Sequence, residues 1–366
     1  MSNTLGKAIR LTLIGESHGP AIGAVIDGLP PGLKVDTEYI AAEMDKRRPA
    51  GKISTARHEK DIPEFISGVK NGYTQGTPLT LLIRNENTRS SDYDKTASIP
   101  RPSHADFTAQ AKYLGFQDAA GGGHFSGRLT APIVAAGAIL KQALEEKGIY
   151  IGTHISKLHG ICDRAFAEDP AEDIKELNGK LFAVLDETAR EKMITEIEAA
   201  AADGDSVGGV LETAVSGLEA GFGEPWFGAI ESELAAAIFA IPAVKGIEFG
   251  AGFAAADMKG SEANDPFAVK DSRIITLTNH SGGIQGGISN GMPIVFRTAI
   301  KPTPSISLPQ KSADLKTLKN TELTISGRHD PAIVHRARAV VDSVTALVLA
   351  DLIARRCGYM ALRGKQ

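Results

Sequence analysis

A mixed fold of helices and strands follows from two features of this 366-residue sequence. Runs with helical apolar spacing are interleaved with short apolar runs of strand length, and several of those strands are joined by turn-rich segments of hairpin type. No regular strand–helix–strand repeat is present, so the pattern reads as α and β elements with hairpins. In chain order, residues 9–14 and 21–26 read as strands flanking a polar loop. Asp36 and Thr37 start a short helix that runs to about Arg47 and is ended by Pro49. Residues 65–69 and 79–83 read as a hairpin around Asn71-Gly72-Tyr73-Thr74-Gln75-Gly76. A helix begins near Pro132, in the first turn where proline is tolerated, and stops at Gly148. Residues 187–202 are helical, halted by Asp203-Gly204-Asp205. Residues 226–239 form another helix, with a strand at 246–249 after it. Strands at 274–278 and 294–299 flank a glycine-rich loop. Asp330-Pro331 caps a final long helix ending near Arg356, whose Val334, Val341, Val344, Val348 and Leu352 share one side, the expected buried face.

Composition narrows the function classes. Lys plus Arg total 40 and Asp plus Glu total 44, a formal charge of −4, so the chain as a whole is no nucleic-acid or membrane-surface binder. Hydrophobic residues make up 42% and charged residues 23%, which is ordinary globular usage and excludes extended disorder. Cys162 and Cys357 are the only cysteines, so neither a disulfide framework nor a cysteine zinc site is expected. The N-terminal residues carry no signal-like apolar run, and no apolar stretch approaches the ~18 residues of a membrane span, so a cytoplasmic, non-membrane protein is expected.

The chemistry gathers in loops. Gly15-Glu16-Ser17-His18-Gly19 matches the G-x-S-x-G pattern of serine hydrolases, but that reading needs a helix after the serine, and Pro20 with a strand-like run follows instead. A plain turn would account for its glycines, though not for Glu-Ser-His between them. Arg47, Arg48, Lys52 and Arg57 lie at and beyond a helix C-terminus; they read either as cations on the helix dipole or as an anion clamp. In Arg101-Pro102-Ser103-His104-Ala105-Asp106, proline stiffens a loop holding a candidate acid or base, and Asp106 doubles as a candidate helix cap. Gly121-Gly122-Gly123-His124-Phe125-Ser126-Gly127-Arg128 leads into the helix near Pro132, a pattern suited to anions. It is neither a dinucleotide fingerprint nor a Walker A motif. The segment from Asn279 to Gly291 is glycine-rich enough to lay a planar ligand on backbone. Lys301-Pro302-Thr303-Pro304-Ser305 offers a cation and hydroxyls at a stiff strand exit. Gly327-Arg328-His329-Asp330-Pro331 opens the last helix, with Arg336 and Arg338 inside it, and Asp330 there reads equally as a plain cap. Cations, histidines and an aspartate in glycine-rich loops, with no metal-ligand spacing, indicate proton transfer on a polyanionic small substrate.

The ordered set G-E-S-H-G, D-G-x-P-P-G at Asp27 to Gly32, R-R-P, R-P-x-H-A-D, G-G-G-x-x-S-x-R-x-T-A, H-x-G-G-I-x-G-G-I-S, K-P-T and G-R-H-D-P resembles the chorismate synthase family over residues 6–356. The resemblance implies an α+β layered sandwich, helices packed between antiparallel sheets, in a single domain spanning residues 1–366. It implies a lyase that eliminates phosphate and a ring proton, anti and 1,4, from 5-enolpyruvylshikimate 3-phosphate to give chorismate, with reduced FMN required. It assigns His18, His104 and Asp330 to catalysis, and Arg47, Arg48, Lys52, Arg101 and Arg128 to substrate binding. Flavin contacts are assigned to His124, Phe125, Ser126, Pro242, Ala243, Gly286, Lys301, Pro302, Thr303, Pro304, Ser305 and Arg328. It further implies a homotetramer supplied with reduced flavin by an external reductase, since no segment is inserted between the motifs; a nicotinamide phosphate such as NADP would bind only weakly. Many relatives carry Arg-Ser where His124-Phe125 stands, Gly at Ser103, Arg at Lys52 and Ser at Pro304. A serine hydrolase using Ser17 and a non-catalytic FMN- or anion-binding protein are the alternatives.

Overall fold

The computed structural model describes residues 3–49, 53–54, 60–85, 98–325 and 330–364. Its helices are α1 (Thr37–Arg47), α2 (Asp106–Tyr113), α3 (Thr130–Glu145), α4 (Ala171–Asn178), α5 (Glu187–Ala202), α6 (Ile230–Phe239), α7 (Gly260–Ala263) and α8 (Val334–Cys357). Two five-stranded antiparallel sheets flank the helical layer. The first runs, in spatial order, Thr4–Leu5, Arg10–Gly15, Ala21–Asp27, Leu79–Arg84 and Glu64–Ser67. The second runs Val244–Phe249, Ile294–Ile300, Gly209–Ser216, Tyr150–Leu158 and Ile161–Cys162. Leu79, Leu81 and Ile83 turn inward on alternate positions of the first sheet, as Ile294, Phe296 and Ile300 do in the second. One apolar cluster runs through both sheets and the helices between them.

The middle layer is the pair α3 and α8. Helix α3 packs on strands Ala21–Asp27 and Leu79–Arg84, while α8 packs on Tyr150–Leu158 and Gly209–Ser216. The two helices approach closely because α3 carries Gly137 at the contact: a Cβ there would sit 2.4 Å from the Ser343 Cβ. Polar bonds fix α8 to its sheet. Thr153 Oγ1 donates to Asp342 Oδ1 at 2.6 Å, and Thr153 and Thr213 hydroxyls meet at 2.8 Å. The fully buried Arg338 guanidinium donates to the Leu177 and Lys180 carbonyls, satisfying the end of α4.

Most expected elements are present with shifted ends. Asp36 caps α1 by accepting from the Glu38 and Tyr39 amides at 3.0 and 3.1 Å, and α5 spans the expected residues 187–202. Three expectations for α6 and α8 need correction. The helix expected from residue 226 starts at Ile230 after a short 3₁₀ turn at Trp226–Gly228. Asp330 is not the cap of α8, which begins at Val334 after Ile333; its carboxylate takes Arg336 instead. And α8 is buried on nearly every side between Val334 and Ala354, not along one stripe, because sheet and helices cover it from opposite directions.

A buried polar group ties the second sheet to the segment beyond it. His154 on strand Tyr150–Leu158 meets Asp163 Oδ2 through Nδ1 at 2.7 Å and Glu212 Oε2 through Nε2 at 3.1 Å. Asp163 also accepts the Leu185 and Asp186 amides at 2.7 and 2.8 Å. Burial alone would lower the His154 pKa, but the two carboxylates overcome it and raise the pKa above 6.5. A raised imidazole pKa stabilises the fold fully at low pH, and the contribution fades as pH climbs through the folded-state value. His154→Gln is therefore expected to destabilise by roughly 3 kcal/mol at pH 6 and by clearly less at pH 9. Urea midpoints at both pH values check this, and equal losses at both would contradict it.

Candidate active site

Three consecutive glycines build the first part of the site. Gly121, Gly122 and Gly123 have φ of 59°, 87° and 52°, a left-handed run that only glycine adopts readily. The run places bare backbone against two histidines. A Cβ on Gly121 would lie 1.9 Å from His18 Cε1, and one on Gly122 would lie 3.2 Å from His104 Cε1. The loop is locked to G-E-S-H-G by the Ser17 amide donating to the Gly123 carbonyl at 3.1 Å and by His124 Nδ1 donating to the Gly15 carbonyl at 2.9 Å. His124 thus spends its ring on the backbone. Phe125 packs edge-on against Tyr113, and Ser126 Oγ accepts the Arg128 amide at 3.3 Å.

His104 is held by its own loop. The His104 amide closes a turn on the Arg101 carbonyl at 3.1 Å, with Pro102 second and Ser103 third. Ser103 adopts φ 59°, in the third position, where a glycine would be at ease. Asp106, within α2 and not its cap, takes His104 Nδ1 at 2.6 Å and the Arg101 fork at 2.8 Å on each oxygen. Burial would raise the Asp106 pKa, yet the bonds from Arg101 and His104 hold it well below the usual carboxylate range. Asp106 thus holds the His104 ring through Nδ1, where Arg101 Nη2 also lies at 3.0 Å, and leaves Nε2 on the Gly122 side.

Lys301 joins this group. Its Nζ donates to the Ser103 carbonyl and its amide to the Ala243 carbonyl, so the K-P-T exit, the Pro242-Ala243 turn and the His104 loop are one unit. Burial, then the charge of Lys245, lowers the Lys301 pKa, a cation suited to an anionic partner. The Thr303 hydroxyl is buried without a hydrogen-bond partner among the described residues, while the Thr303 carbonyl accepts from Ser206. Pro304 offers its carbonyl to Gln310, at 3.4 Å. Gly286 sits exposed at the turn of the hairpin Ile284–Gln285/Ile288–Ser289, away from these bonds.

A second group gathers guanidiniums. Asp61 accepts Arg47 on Oδ2 and Arg128 on Oδ1, the latter at 2.6 Å. Arg128 Nε donates to Asn85 Oδ1 at 2.7 Å. Arg336 donates to the Arg47 carbonyl at 2.8 Å and to Asp330. Arg47 is buried, and burial first, then Arg336 and Arg128, lower its pKa to about 10 against the pull of Asp61. Burial pushes the Asp330 carboxyl up, and the Arg336 charge offsets only part of that. The neighbouring His335 is buried, its pKa lowered to about 3, so it stays neutral beside Ser54 Oγ at 2.8 Å. Asn85 links the two groups, because its Nδ2 donates to the Glu16 and Gly19 carbonyls at 3.1 and 2.7 Å. Arg48 pairs with Asp45 and the Lys60 carbonyl. Lys52, Arg57 and Arg328 lie outside the described residues. Asp61 and Asn85 carried no sequence signal.

The geometry also decides against the hydrolase elbow: strand Ala21–Asp27 follows the serine loop where a helix is needed, and Ser17 is buried. The family model for chorismate synthase matches residues 9–354. The chain belongs to the chorismate synthase family. It is 47% identical over 352 residues to the chorismate synthase of Thermococcus gammatolerans, covering 96% of this chain and 97% of that one. It is 48% identical over 357 residues to that of Dehalococcoides mccartyi, covering 97% of each. A crystal structure of a chorismate synthase superposes with a TM-score of 0.75 at 29% identity, covering 96% of this chain and 94% of the other. The chorismate synthase fold and the shikimate-pathway lyase activity are therefore those of this chain.

Gly121→Ala should drive His18 out of place, since the new Cβ would lie 1.9 Å from its ring. A displacement of about 1 Å costs on the order of 100-fold in kcat/KM. Gly72→Ala, at φ 77° with nothing within 4 Å, carries the same backbone strain and serves as control. Equal activities of the two variants would remove the constraint assigned to Gly121.

Proposed function

We propose that the chain eliminates phosphate, anti and 1,4, from 5-enolpyruvylshikimate 3-phosphate to give chorismate, with reduced FMN bound. The observation that carries this reading is the meeting of Arg47, Arg128 and Arg336 beside the starts of α3 and α8, linked by Asn85 to the loop that carries His18. Helix starts and guanidinium forks are matched to phosphate and carboxylate, and the substrate carries one phosphate and two carboxylates. Arg47 and Arg128, with Lys52, hold these groups; Arg48 stands at the edge, and Arg101 acts through Asp106. His18 gives its proton to the departing phosphate oxygen. His104, oriented by Asp106, holds or moves a proton at Nε2. Asp330, its pKa raised by burial, is a carboxyl able to exchange a proton.

Lys301 and the unpartnered hydroxyl of Thr303 fit an FMN, one as cation and the other as a waiting donor. His124, Phe125, Ser126, Pro242, Ala243, Gly286, Pro302, Pro304, Ser305 and Arg328 complete the flavin contacts. Reduced FMN supplies reducing equivalents that the net reaction does not consume. The continuous apolar cluster supports a single domain across residues 1–366. Exposed Trp226, Phe227, Phe253, Phe267, Val269 and Ile274 support assembly into a homotetramer. Among the described residues no helix is long and apolar enough to cross a membrane.

Phosphate release under anaerobic conditions, with chemically reduced FMN, tests the reading. Under those conditions His104→Ala should keep substrate binding and lose about 10²–10⁴-fold in turnover. Undiminished turnover across pH would return His104 to a structural role.

A separate comparison tests the flavin source. Oxidised FMN with NADPH should give no chorismate, whereas dithionite-reduced FMN should. Arg forks bind any phosphate, so NADPH binding alone would not count as reduction. Comparable rates from both, in protein free of contaminating reductase, would mean that this chain reduces its own flavin.

A further inference from the structure

We infer that Asp61 is a positioning residue that sets the spacing of the two substrate-binding guanidiniums, Arg47 and Arg128. The inference rests on the proposed role of those arginines. Asp61 and Arg47 are each 5% exposed, and the Arg128 side chain is 9% exposed, so the three form a closed group. Asp61 gives one oxygen to each arginine, Oδ2 to Arg47 and Oδ1 to Arg128. Asp61 therefore bridges the two guanidiniums rather than forking onto one of them, as an ordinary ion pair would. Arg47 Nε is buried with no hydrogen-bond partner among the described residues, a donor left over for an anion. Asp61 itself holds φ 45°, a left-handed backbone that aspartate tolerates better than most residues, and this bend delivers the carboxylate between two cations. Without it, buried like charges would push apart and the pair would lose its register to a dianion. Asn85 fixes Arg128 from the other side through Nε, so Asp61 and Asn85 together aim the fork.

Two other roles are open to a carboxylate in this place. A counter-ion only would support the fold without changing substrate affinity. A mask would compete with substrate, and its loss would tighten binding. Both give different kinetics from a positioning role.

The test is anaerobic steady-state kinetics of the full chain with reduced FMN. Asp61→Asn keeps the shape and removes the charge; its KM for 5-enolpyruvylshikimate 3-phosphate should rise by at least about tenfold, with kcat changed less than about threefold. In Asp61→Asn/Arg128→Ala, KM should stay within about threefold of Arg128→Ala alone, since without Arg128 there is no longer a spacing between two arginines for Asp61 to set. Independent, multiplicative effects overturn the inference, as does an unchanged or lowered KM in Asp61→Asn. Should Asp61→Asn fail to melt cooperatively, Asp61→Glu keeps the buried charge and moves it by one methylene. Its KM should rise by at least about threefold at a near-parental melting temperature; a lowered melting temperature with unchanged KM makes Asp61 a counter-ion. If Arg128→Ala leaves KM unaltered, the substrate role of Arg128 falls, and with it the inference. If Arg128→Ala raises KM and both Asp61 variants do not, only the inference falls.

Discussion

The close contact of α3 with α8 governs the rest of the molecule. Gly137 lets the two backbones approach where a side chain would collide with Ser343. Each helix then serves as the floor for one sheet, α3 for the first and α8 for the second. Because the contact fixes both helices, it also fixes what lies before and within their first turns. Arg128 precedes α3, Asp330 precedes α8, and Arg336 lies in its first turn; all three reach the Arg47–Asp61 group directly or through one bond. The positive ends of two helix dipoles add to the guanidiniums there. A packing decision in the core thus becomes an electrostatic property of the site.

The glycine run adds a second constraint. At Gly121 a Cβ would strike His18, and at Gly123 one would strike the Asp118 carbonyl at 2.0 Å, so the loop has no room for another residue. The Gly123 carbonyl and the His124 ring tie it to the G-E-S-H-G loop, which Asn85 in turn ties to Arg128. The proton-handling half and the anion-holding half therefore move as one body. His124 adds to that tie, its imidazole donating to the Gly15 carbonyl at 2.9 Å.

Much of this was legible in the sequence because it is local. Asp36 capping, the α5 boundaries and the stiff turn at Pro102 all follow from neighbours a few residues apart. The loops that carry His18, His104 and Arg128 announced themselves by glycine and charge. Strands Tyr150–Leu158 and Gly209–Ser216, the centre of the second sheet, gave no such signal. They bury Thr153, His154, Glu212 and Thr213, and these polar residues break the apolar pattern that marks a strand. Asp61 and Asn85 were invisible for another reason. Their partner Arg128 lies 67 and 43 residues away, and nothing in either segment marks the residue as anything but a surface polar group.

The charge balance of the site follows from where burial falls. Arg47, Arg128 and Arg336 meet two carboxylates, Asp61 and Asp330. Burial raises the Asp330 pKa, which weakens it as a counter-ion, whereas Asp61 is shared between two cations. Among the described residues positive charge is left in excess there, inside a protein whose formal charge is −4. Such an excess is costly when dry, and a polyanion relieves it by completing the pairing. The opposite arrangement is found between α1 and α3, where Glu43 takes both Lys46 and Lys141 at 2.6 and 2.9 Å, and Lys141 also reaches Asn178. That group leaves only an acceptor over, Glu43 Oε2, which has nothing to offer an anion, and it sits in the helical layer as structure. The Arg47–Asp61–Arg128 group instead leaves a donor, Arg47 Nε, buried without a partner among the described residues, and a donor is what an incoming anion needs.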